Sequence, residues 1–578
     1  MNNKWDLSDF RPFVEDILKQ WQVPGVAIAI VQNNQTILCE GFGLRNVEQN
    51  LPVTEETVFP IASCTKAFTA MTLGLLVDEG KLDWDQPIRE ILPSFQLQDK
   101  WATEQMTARD LLTHRSGLPR HDLLWYASNF DRQDIFRRLR YLEPSRSFRS
   151  TFQYQNMMYM VAGILVEEIT GMSWEKFVQN RIFEPLGMNH SNLSTEVTQQ
   201  LDNFASPYIY QKQQLQKIPF FKADGENDAI GPAGNINSCV QDMVLWLKLH
   251  LNGGKLEEQP FILAETLAQM HTPQIFESPT KNQLGQEFIS YGLGWSPCSH
   301  KGKVLIEHGG AIDGFASLVS FMPQDHLGVV VLSNGDVSHN LIPALISYTI
   351  YDRLLNLEPT DWNGIFTTQQ REREEAKKRS QEKAVVEQKK DAPPSHSIES
   401  YLGEYEHPGY GIVSIRMVDE QLEMVMNDKL TLPIVHCYYD IFEANFVQWD
   451  NRIKFSFSTD LKGNIASLTT QVEPAVKDIV FTKKPDRKLT EKSFLQQFVG
   501  VYEFESVGST ITIALKNETL TATFQGYREN VLIPVQGTEF NFQGLSGLSI
   551  EFQSDENGQF TKALYVSLNA VFILKKRG

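Results

Sequence analysis

The chain has few cysteines and no long apolar run, and both absences narrow the class of protein. Its 578 residues include only 5 cysteines. These are scattered, odd in number and without C-x-x-C spacing, so we expect neither a disulfide framework nor a zinc site. No apolar run reaches the length of a transmembrane helix, and residues 1–7 lack the apolar core of a signal peptide. We therefore predict a cytoplasmic protein with no membrane partner.

A strongly basic segment is absent as well. The net charge is −18 at pH 7, which argues against a nucleic-acid partner. The bases in residues 369–379 are interleaved with acids, and Pro393 and Pro394 follow them. This composition disfavours a nucleic-acid-binding run and predicts a charged, partly helical linker over residues 363–397.

Three short motifs indicate the chemistry. They are Ser63-Cys64-Thr65-Lys66, Tyr154-Gln155-Asn156 and His308-Gly309-Gly310. An S-x-x-K pattern alone is weak evidence, because three other matches occur in this chain. The order, the wide spacing and the local context make the combination specific. It supplies a serine nucleophile, an amine, a phenol, an amide and a glycine-lined strand, which is typical of acyl transfer through a covalent serine intermediate.

Ser63 is predicted to lie at the N-terminus of a buried helix. The residues after Lys66 are mostly apolar up to Gly80, a residue type common just past a helix C-terminus. Free N–H groups and the helix dipole at this position favour negative charge, and a spacing of three places Lys66 on the same face. The alternative is that Ser63 only caps the helix and Lys66 is solvated.

The mechanism needs a base for the Ser63 proton. An ordinary lysine is protonated at neutral pH, so Lys66 must have a lowered pKa to act as that base. Burial and the positive end of the helix both favour the neutral amine. Tyr154 is the second candidate, because a nearby lysine cation would lower the pKa of a phenol. The sequence leaves open which of the two groups accepts the proton.

Tyr154 and Asn156 are expected at the start of a second helix, because an apolar segment follows them and ends before Gly171. We expect Asn156 to hydrogen-bond Lys66 and the amide of the substrate. The alternative for Asn156 is a helix N-cap.

The third motif is predicted to end a strand that begins near Lys303. Two glycines in a strand, here Gly309 and Gly310, usually mark the close approach of another backbone or of a ligand. His308 is expected to orient a substrate carbonyl or to hydrogen-bond Tyr154, and the alternative is a structural histidine.

Taken together, the motifs resemble those of the class C β-lactamase, penicillin-binding protein and serine peptidase superfamily. The similarity covers residues 10 to about 355, and the stretches 111–118 and 231–235 are also similar to it. The chain carries H-G-G where many β-lactamases carry K-T-G. This difference moves the resemblance toward D-aminopeptidases, D-peptidases and related esterases.

The resemblance also implies roles for individual residues. Ser63 would be the nucleophile, and Lys66 and Tyr154 the proton-transfer pair. The backbone N–H groups of Ser63 and Ala311 would form the oxyanion hole. Asn156 and the strand of His308, Gly309, Gly310 and Ala311 would bind the substrate.

The fold class expected from the pattern is α/β plus all-β. Hairpins at residues 26–38 and 315–332 predict one antiparallel sheet, flanked by helices and joined by a helical subdomain, in a β-lactamase-like domain of residues 1–362. Beyond the linker the chain repeats itself in short alternating strands. We predict two small antiparallel β-barrels, residues 398–486 and 487–578. The resemblance suggests that they are lipocalin-like and that a barrel loop narrows the active site.

The predicted function is a serine hydrolase that cleaves amide bonds of small peptides through an acyl-enzyme, similar to a D-aminopeptidase. A carboxylesterase, a weak β-lactamase and a non-catalytic ligand sensor stay as alternatives, although a sensor would not need all the proton-transfer groups. We expect a small peptide, amide or ester as substrate and neither a cofactor nor a metal. The sequence leaves open whether the chain forms a homo-oligomer.

Overall fold

The computed structural model describes most of the chain, namely residues 9–126, 128–211, 213–221, 229–278, 282, 284–336, 340–386, 392–446, 451–506, 508–567 and 570–577. The chain forms two compact units. The first comprises Met1–Gln388 with Glu473–Lys477, and the second comprises Lys389–Val472 with Asp478–Gly578. None of the helices described is both long enough and apolar enough to span a bilayer.

The first unit contains one large antiparallel sheet and several short two-stranded sheets. Its strands are β1 Gly25–Gln32, β2 Gln35–Asn46, β3 Leu51–Pro52, β4 Phe59–Pro60, β5 Tyr208–Gln211, β6 Gln214–Lys217, β7 Asn237–Ser238, β8 Lys255–Leu256, β9 Gln259–Pro260, β10 Ile275–Ser278, β11 Gln286–Glu287, β12 Ile289–Tyr291, β13 Ser296–His300, β14 Lys303–Ile312, β15 Phe315–Met322 and β16 Leu327–Ser333. Eight of them form the sheet, in the order β11-β13-β14-β15-β16-β1-β2-β3.

Both predicted hairpins belong to this sheet. They are β1–β2 and β15–β16, and they meet where β1 pairs with β16, with Ile28 opposite Val331. The beginning and the end of the catalytic region therefore share one sheet, as the sequence predicted. The motif strand β14 lies beside β15, with Ala311 opposite Ala316.

Helices cover the sheet and form the second half of this unit. They are α1 Phe10–Gln20, α2 Thr65–Asp78, α3 Lys100–Gln105, α4 Ala108–Leu112, α5 Leu123–Tyr126, α6 Arg132–Arg138, α7 Asn156–Thr170, α8 Trp174–Val178, α9 Glu184–Leu186, α10 Thr195–Gln199, α11 Gly231–Gly234, α12 Val240–Leu251, α13 Ala264–His271, α14 Ile342–Leu354 and α15 Trp362–Val386. Residues between β4 and α12 are mostly helix and loop, which agrees with the predicted helical subdomain.

The alternation of β1 explains how the sheet is buried. Val26, Ile28 and Ile30 point to one face, where they pack with apolar residues of α1 and α14. The small residues Ala27 and Ala29 alternate with them and are also buried. Burial on both faces removes apolar surface from water along the whole strand, which is why this strand is a continuous apolar run.

The predicted linker differs from the structure at its start. Residues 362–386 form one helix, α15, and its first turns pack into the core of the first unit. Trp362 and Phe366 are each 3% exposed. The sequence predicted a linker from residue 363, with its charged, solvated part from residue 369, whereas these two aromatic side chains pack the start of the helix into the core of the first unit.

The second unit contains two closed antiparallel barrels of eight strands each. The first barrel contains β17 Gly403–His407, β18 Gly411–Val418, β19 Gln421–Met426, β20 Leu430–Tyr438, β21 Ile441–Phe446, β22 Asn451–Thr459, β23 Ile465–Thr470 and β24 Ile479–Lys483. The second contains β25 Gly500–Phe504, β26 Thr510–Lys516, β27 Thr519–Phe524, β28 Glu529–Gln536, β29 Glu539–Phe542, β30 Ser549–Ser554, β31 Phe560–Ser567 and β32 Ala570–Lys576. Short helices α16 Ile398–Tyr401 and α17 Lys492–Leu495 precede them.

The internal repeat is visible in matching contacts at the start of each barrel. Tyr405 donates its hydroxyl to a backbone carbonyl four residues earlier at 2.8 Å, and Tyr502 does the same at 3.0 Å. Lys483 and Lys576 lie over the rings of Tyr405 and Tyr502, at 5.6 and 5.7 Å from the centroids. Both predicted barrels are therefore confirmed. Closure pairs every strand and leaves no sheet edge.

Candidate active site

Ser63 lies in a tight turn between β4 and α2. The turn passes through Ala62, whose φ of +46° is in the left-handed region, and continues as a short 3-10 helix over Ala62–Cys64. A non-glycine residue rarely adopts this conformation, and such strain is concentrated at functional sites. Ser63 thus lies at the N-terminal end of α2, as predicted, where the helix dipole favours negative charge.

Lys66 is buried beside the Ser63 hydroxyl. Its Nζ lies 3.0 Å from Ser63 Oγ and donates a hydrogen bond to the Ala233 carbonyl at 2.8 Å. The side chain is 0% exposed. Burial lowers the pKa of Lys66 well below its usual value; the Arg120 cation lowers it further, and Asp122 opposes the shift. A neutral amine at this distance can accept the Ser63 proton.

Tyr154 completes the group around Ser63. Lys66 Nζ lies 4.8 Å from the centroid of the Tyr154 ring, and the ring of His114 is tilted by 31° to it, with the two centroids 4.2 Å apart. Burial raises the pKa of the Tyr154 phenol, and a hydrogen bond with Ser63 opposes this rise. Burial therefore opposes the lowering of this pKa that a nearby lysine cation would cause. The phenol is therefore suited to donate a proton rather than to accept the first one.

Gly310 is required by the close packing of β14 against the turn that carries Ser63. A Cβ at this position would lie 2.1 Å from the Ile61 carbonyl oxygen. The same carbonyl accepts a hydrogen bond from Ser317 Oγ at 2.8 Å. The predicted close approach is therefore that of a backbone, and it fixes the motif strand against the nucleophile. At Gly309 the nearest atom would be 3.7 Å away, so this position has room for a Cβ.

His308 has a different partner from the one expected. Its Nε2 lies 2.8 Å from the Tyr291 hydroxyl, and its Nδ1 lies 2.7 Å from the Gly309 carbonyl oxygen. Burial lowers its pKa to about 3, so the ring is neutral. The expected hydrogen bond to Tyr154 is absent among the described residues, and the two rings are 6.5 Å apart. The geometry agrees with the structural alternative, because Tyr291 holds the ring in the interior.

Asn156 also has a different partner. It is the first residue of α7, and Gln155 is the residue that caps this helix by accepting the Met157 N–H. Asn156 Nδ2 donates to Asp122 Oδ1 at 3.2 Å. In the part of the chain that the structure describes it makes no bond to Lys66, and the Ala233 carbonyl takes that place.

Two residues that the sequence analysis missed, Arg120 and Asp122, organise this side of the site. Asp122 accepts hydrogen bonds from Arg120 Nε at 2.5 Å, from Trp125 Nε1 at 2.8 Å and from Asn156. The Arg120 guanidinium lies 5.1 Å from the centroid of the Tyr154 ring, and its terminal nitrogens donate to none of the described residues. Both residues lie shortly after the stretch 111–118, which resembles the family. Their closeness to this stretch in the sequence could have indicated them.

One cavity of about 100 Å³ lies beside Ser63. Ser63, Asn156 and Ala311 line it, so the two residues expected to form the oxyanion hole border the same space, whereas Lys66, Tyr154 and His308 are not among its lining residues. Aromatic side chains and charged groups form much of the remaining wall, including Trp125, Phe220, Phe315, Arg120 and Asp313. Such a space admits a small substrate group with both apolar and polar parts. The described residues contain one group of three side chains that could hold a metal ion, and none of the three lines this cavity.

Two family models and several known proteins match this chain. The family model described as Beta-lactamase matches residues 10–345, and the one described as Domain of unknown function (DUF3471) matches residues 387–483. The chain is 30% identical over 448 residues to the Unguisins hydrolase ungD' of Aspergillus campestris, covering 73% of this chain and 79% of that protein. It is 26% identical over 342 residues to Protein flp of Staphylococcus aureus strain COL, covering 58% of this chain and 64% of that protein.

A solved structure supports the fold. The octameric penicillin-binding protein homologue from Pyrococcus abyssi aligns with a TM-score of 0.53 and 23% identity, covering 83% of this chain and all of that chain. At this identity the likeness concerns the fold alone.

Proposed function

Because this chain belongs to the β-lactamase family of serine hydrolases, we propose that it hydrolyses amide bonds of small peptides through an acyl-enzyme on Ser63. One observation carries the proposal. Lys66 Nζ lies 3.0 Å from Ser63 Oγ, is completely buried, and has no carboxylate partner among the residues described here. Its amine is therefore available to remove the Ser63 proton at neutral pH.

The reaction begins when the Ser63 hydroxyl gives its proton to Lys66 and its oxygen attacks the amide carbonyl. The backbone N–H groups of Ser63 and Ala311 stabilise the oxyanion. Tyr154, which burial keeps as a neutral phenol, donates a proton to the leaving amine as the C–N bond breaks, and the Lys66 ammonium returns a proton to the phenolate. Water then attacks the acyl-enzyme by the same proton path in reverse.

The substrate class rests on the motif and on the cavity. H-G-G in place of K-T-G supports an amidase or peptidase with a preference for D-amino-acid substrates, as the resemblance suggested. Two relatives bear the name unguisins hydrolase, which is consistent with a hydrolase. The small cavity, with an arginine and an aspartate in its wall, supports short peptides with charged groups. An esterase would use the same residues and stays the alternative.

A substrate panel tests the proposal. It contains D-aminoacyl amides, L-aminoacyl amides, p-nitrophenyl esters and a chromogenic cephalosporin. We expect the D-aminoacyl amides to have the highest kcat/KM, and a fluorophosphonate to add one adduct at Ser63 that is absent in Ser63→Ala. Turnover of esters alone would favour the esterase. An adduct in Ser63→Ala at the rate of the native protein would disprove the nucleophile.

Two further properties stay predictions. A cytoplasmic location follows only from the sequence argument. The octamer is named for the Pyrococcus abyssi homologue, and we propose that this chain also self-associates, which sedimentation of the purified full chain would test.

A further inference from the structure

A second group of reactive side chains lies where the loop before α10 meets the start of α12. His190, Cys239 and Asp242 each offer one ligand atom, and these atoms all lie within 4.8 Å of one another. None of the three lines the Ser63 cavity. We propose that they form a binding site for a divalent cation of intermediate softness, and that zinc is the best match. Imidazole nitrogen, thiolate sulfur and carboxylate oxygen are the donors that zinc combines in proteins.

The distances suit a tetrahedral ion. His190 Nδ1 lies 3.4 Å from Asp242 Oδ1. With metal–ligand bonds of about 2.0–2.3 Å, neighbouring ligand atoms of a tetrahedral zinc site lie about 3.3–3.6 Å apart. The His190–Asp242 pair already has this separation, and Cys239 offers the third ligand atom within 4.8 Å of the other two. A water molecule would be the fourth ligand.

The carboxylate is held in place from its other oxygen. Asp242 Oδ2 accepts the backbone N–H of His190 and the hydroxyl of Ser191, each at 2.8 Å. Ser191 Oγ also lies 2.8 Å from Ser238 Oγ. These bonds fasten the loop to the start of α12 and leave Oδ1 directed toward His190. Supporting contacts of this kind orient metal ligands and strengthen binding.

The electrostatic environment favours a cation. No lysine or arginine pairs with Asp242 in the ranges that the structure describes, where His190 is its one ion-pair partner. Binding of Zn²⁺ to Cys239 displaces the thiol proton, so that Cys239 becomes a thiolate ligand and one proton is released.

An entry path exists from the histidine side. The side chain of His190 is 39% exposed, whereas that of Asp242 is 3% exposed. Cys239 is completely buried. An ion can therefore reach His190 from solvent and be enclosed by the other two ligands. Ser238, the residue before Cys239, pairs with Phe59 of β4. Because β4 leads into the turn that carries Ser63, this strand pair connects the proposed metal site to the nucleophile.

The test uses the full chain, stripped of metal with a chelator and then titrated with Zn²⁺ or Co²⁺. We expect one ion per chain, a thiolate-to-cobalt charge-transfer band with Co²⁺, and a higher midpoint of thermal unfolding with Zn²⁺. Cys239→Ser and His190→Gln should each weaken zinc binding at least about tenfold. Cys239→Ser should also remove the cobalt band.

Matched controls are Cys298→Ser, another buried cysteine, and His326→Asn, an exposed histidine, which should bind zinc like the native protein. The site does not exist if cobalt gives no thiolate band, or if Cys239→Ser and His190→Gln bind zinc as tightly as these controls. Should Cys239→Ser fail to fold, the partly exposed His190→Gln decides the result alone. None of these measurements depends on hydrolysis, so the proposed function and this site can fail independently.

Discussion

Gly310 packs so closely on Ile61 that a Cβ at position 310 would lie 2.1 Å from the Ile61 carbonyl oxygen. Gly310→Ala must push β14 away from the turn that carries Ser63. We expect it to lower the free energy of unfolding by about 1–3 kcal/mol and to reduce the rate of Ser63 acylation. Gly309→Ala is the matched control for stability, because its nearest atom would be 3.7 Å away. Urea unfolding of both variants tests this prediction. Equal losses in the free energy of unfolding would contradict the packing argument.

Removing either proton-transfer group is expected to stop catalysis without unfolding the protein. Lys66→Met fills the same buried space without a charge, and Tyr154→Phe keeps the ring. Each should reduce kcat at least about 100-fold, measured with one ester substrate. Lys176→Met is the control, since Lys176 ends another S-x-x-K pattern of the chain and is exposed. A variant that keeps native turnover removes its residue from the mechanism.

The acid limb of the pH profile is expected to depend on Arg120. Lys66 must be neutral to act, so kcat/KM should rise with pH through the pKa of Lys66. The Arg120 cation lowers that pKa, and Arg120→Gln should therefore raise it and move the acid limb to higher pH. Arg137→Gln is the control, because Arg137 forms a similar exposed pair with Asp134. An unchanged limb in Arg120→Gln would show that this coupling is negligible.

Glu307 is expected to destabilise the protein at alkaline pH. Burial raises the pKa of Glu307 to about 7, although Gln286 and Tyr348 donate hydrogen bonds to it. Because the pKa of Glu307 is higher in the folded than in the unfolded protein, ionisation of Glu307 costs stability. The free energy of unfolding is therefore unaffected by Glu307 below about pH 4 and declines as the pH rises toward 7. In urea unfolding at pH 8, Glu307→Gln should have a free energy of unfolding higher than that of the native protein by up to about 3 kcal/mol. At pH 4.5 the two proteins should be about equally stable. The exposed Glu265→Gln should show no such difference.

The two barrels are predicted to set substrate size without supplying chemistry, because neither carries a nucleophile motif of its own. A chain ending at Val386 keeps the turn of α15 whose Trp362 and Phe366 pack in the core. We expect it to retain its helical circular dichroism and the fluorophosphonate adduct at Ser63, and to lose most of its discrimination among peptides of different length. An unchanged kcat/KM profile across lengths would assign the barrels to assembly or stability instead.

Contacts that follow from local spacing could be predicted from the sequence. Ser63 and Lys66 are three residues apart in one helix, so their contact follows from helix geometry alone. Alternating strands and turn residues likewise predicted the barrels. Apolar residues that recur at every second position all lie on one face of a strand, and in a barrel this face is the interior. The two glycines of H-G-G predicted a close approach, although not that the Ile61 carbonyl would occupy the space.

Partners that come from distant parts of the chain were decided by the tertiary structure. The second bond of Lys66 goes to Ala233, because α11 packs where Gly163 of α7 lets Pro232 approach. His308 binds Tyr291 because the register of β14 turns its ring inward. His190, Cys239 and Asp242 likewise have ligand atoms within 4.8 Å of one another although His190 lies in a separate segment of the chain. Sequence patterns report periodicity within an element, whereas these partners depend on how separate elements dock, and no local pattern encodes that docking.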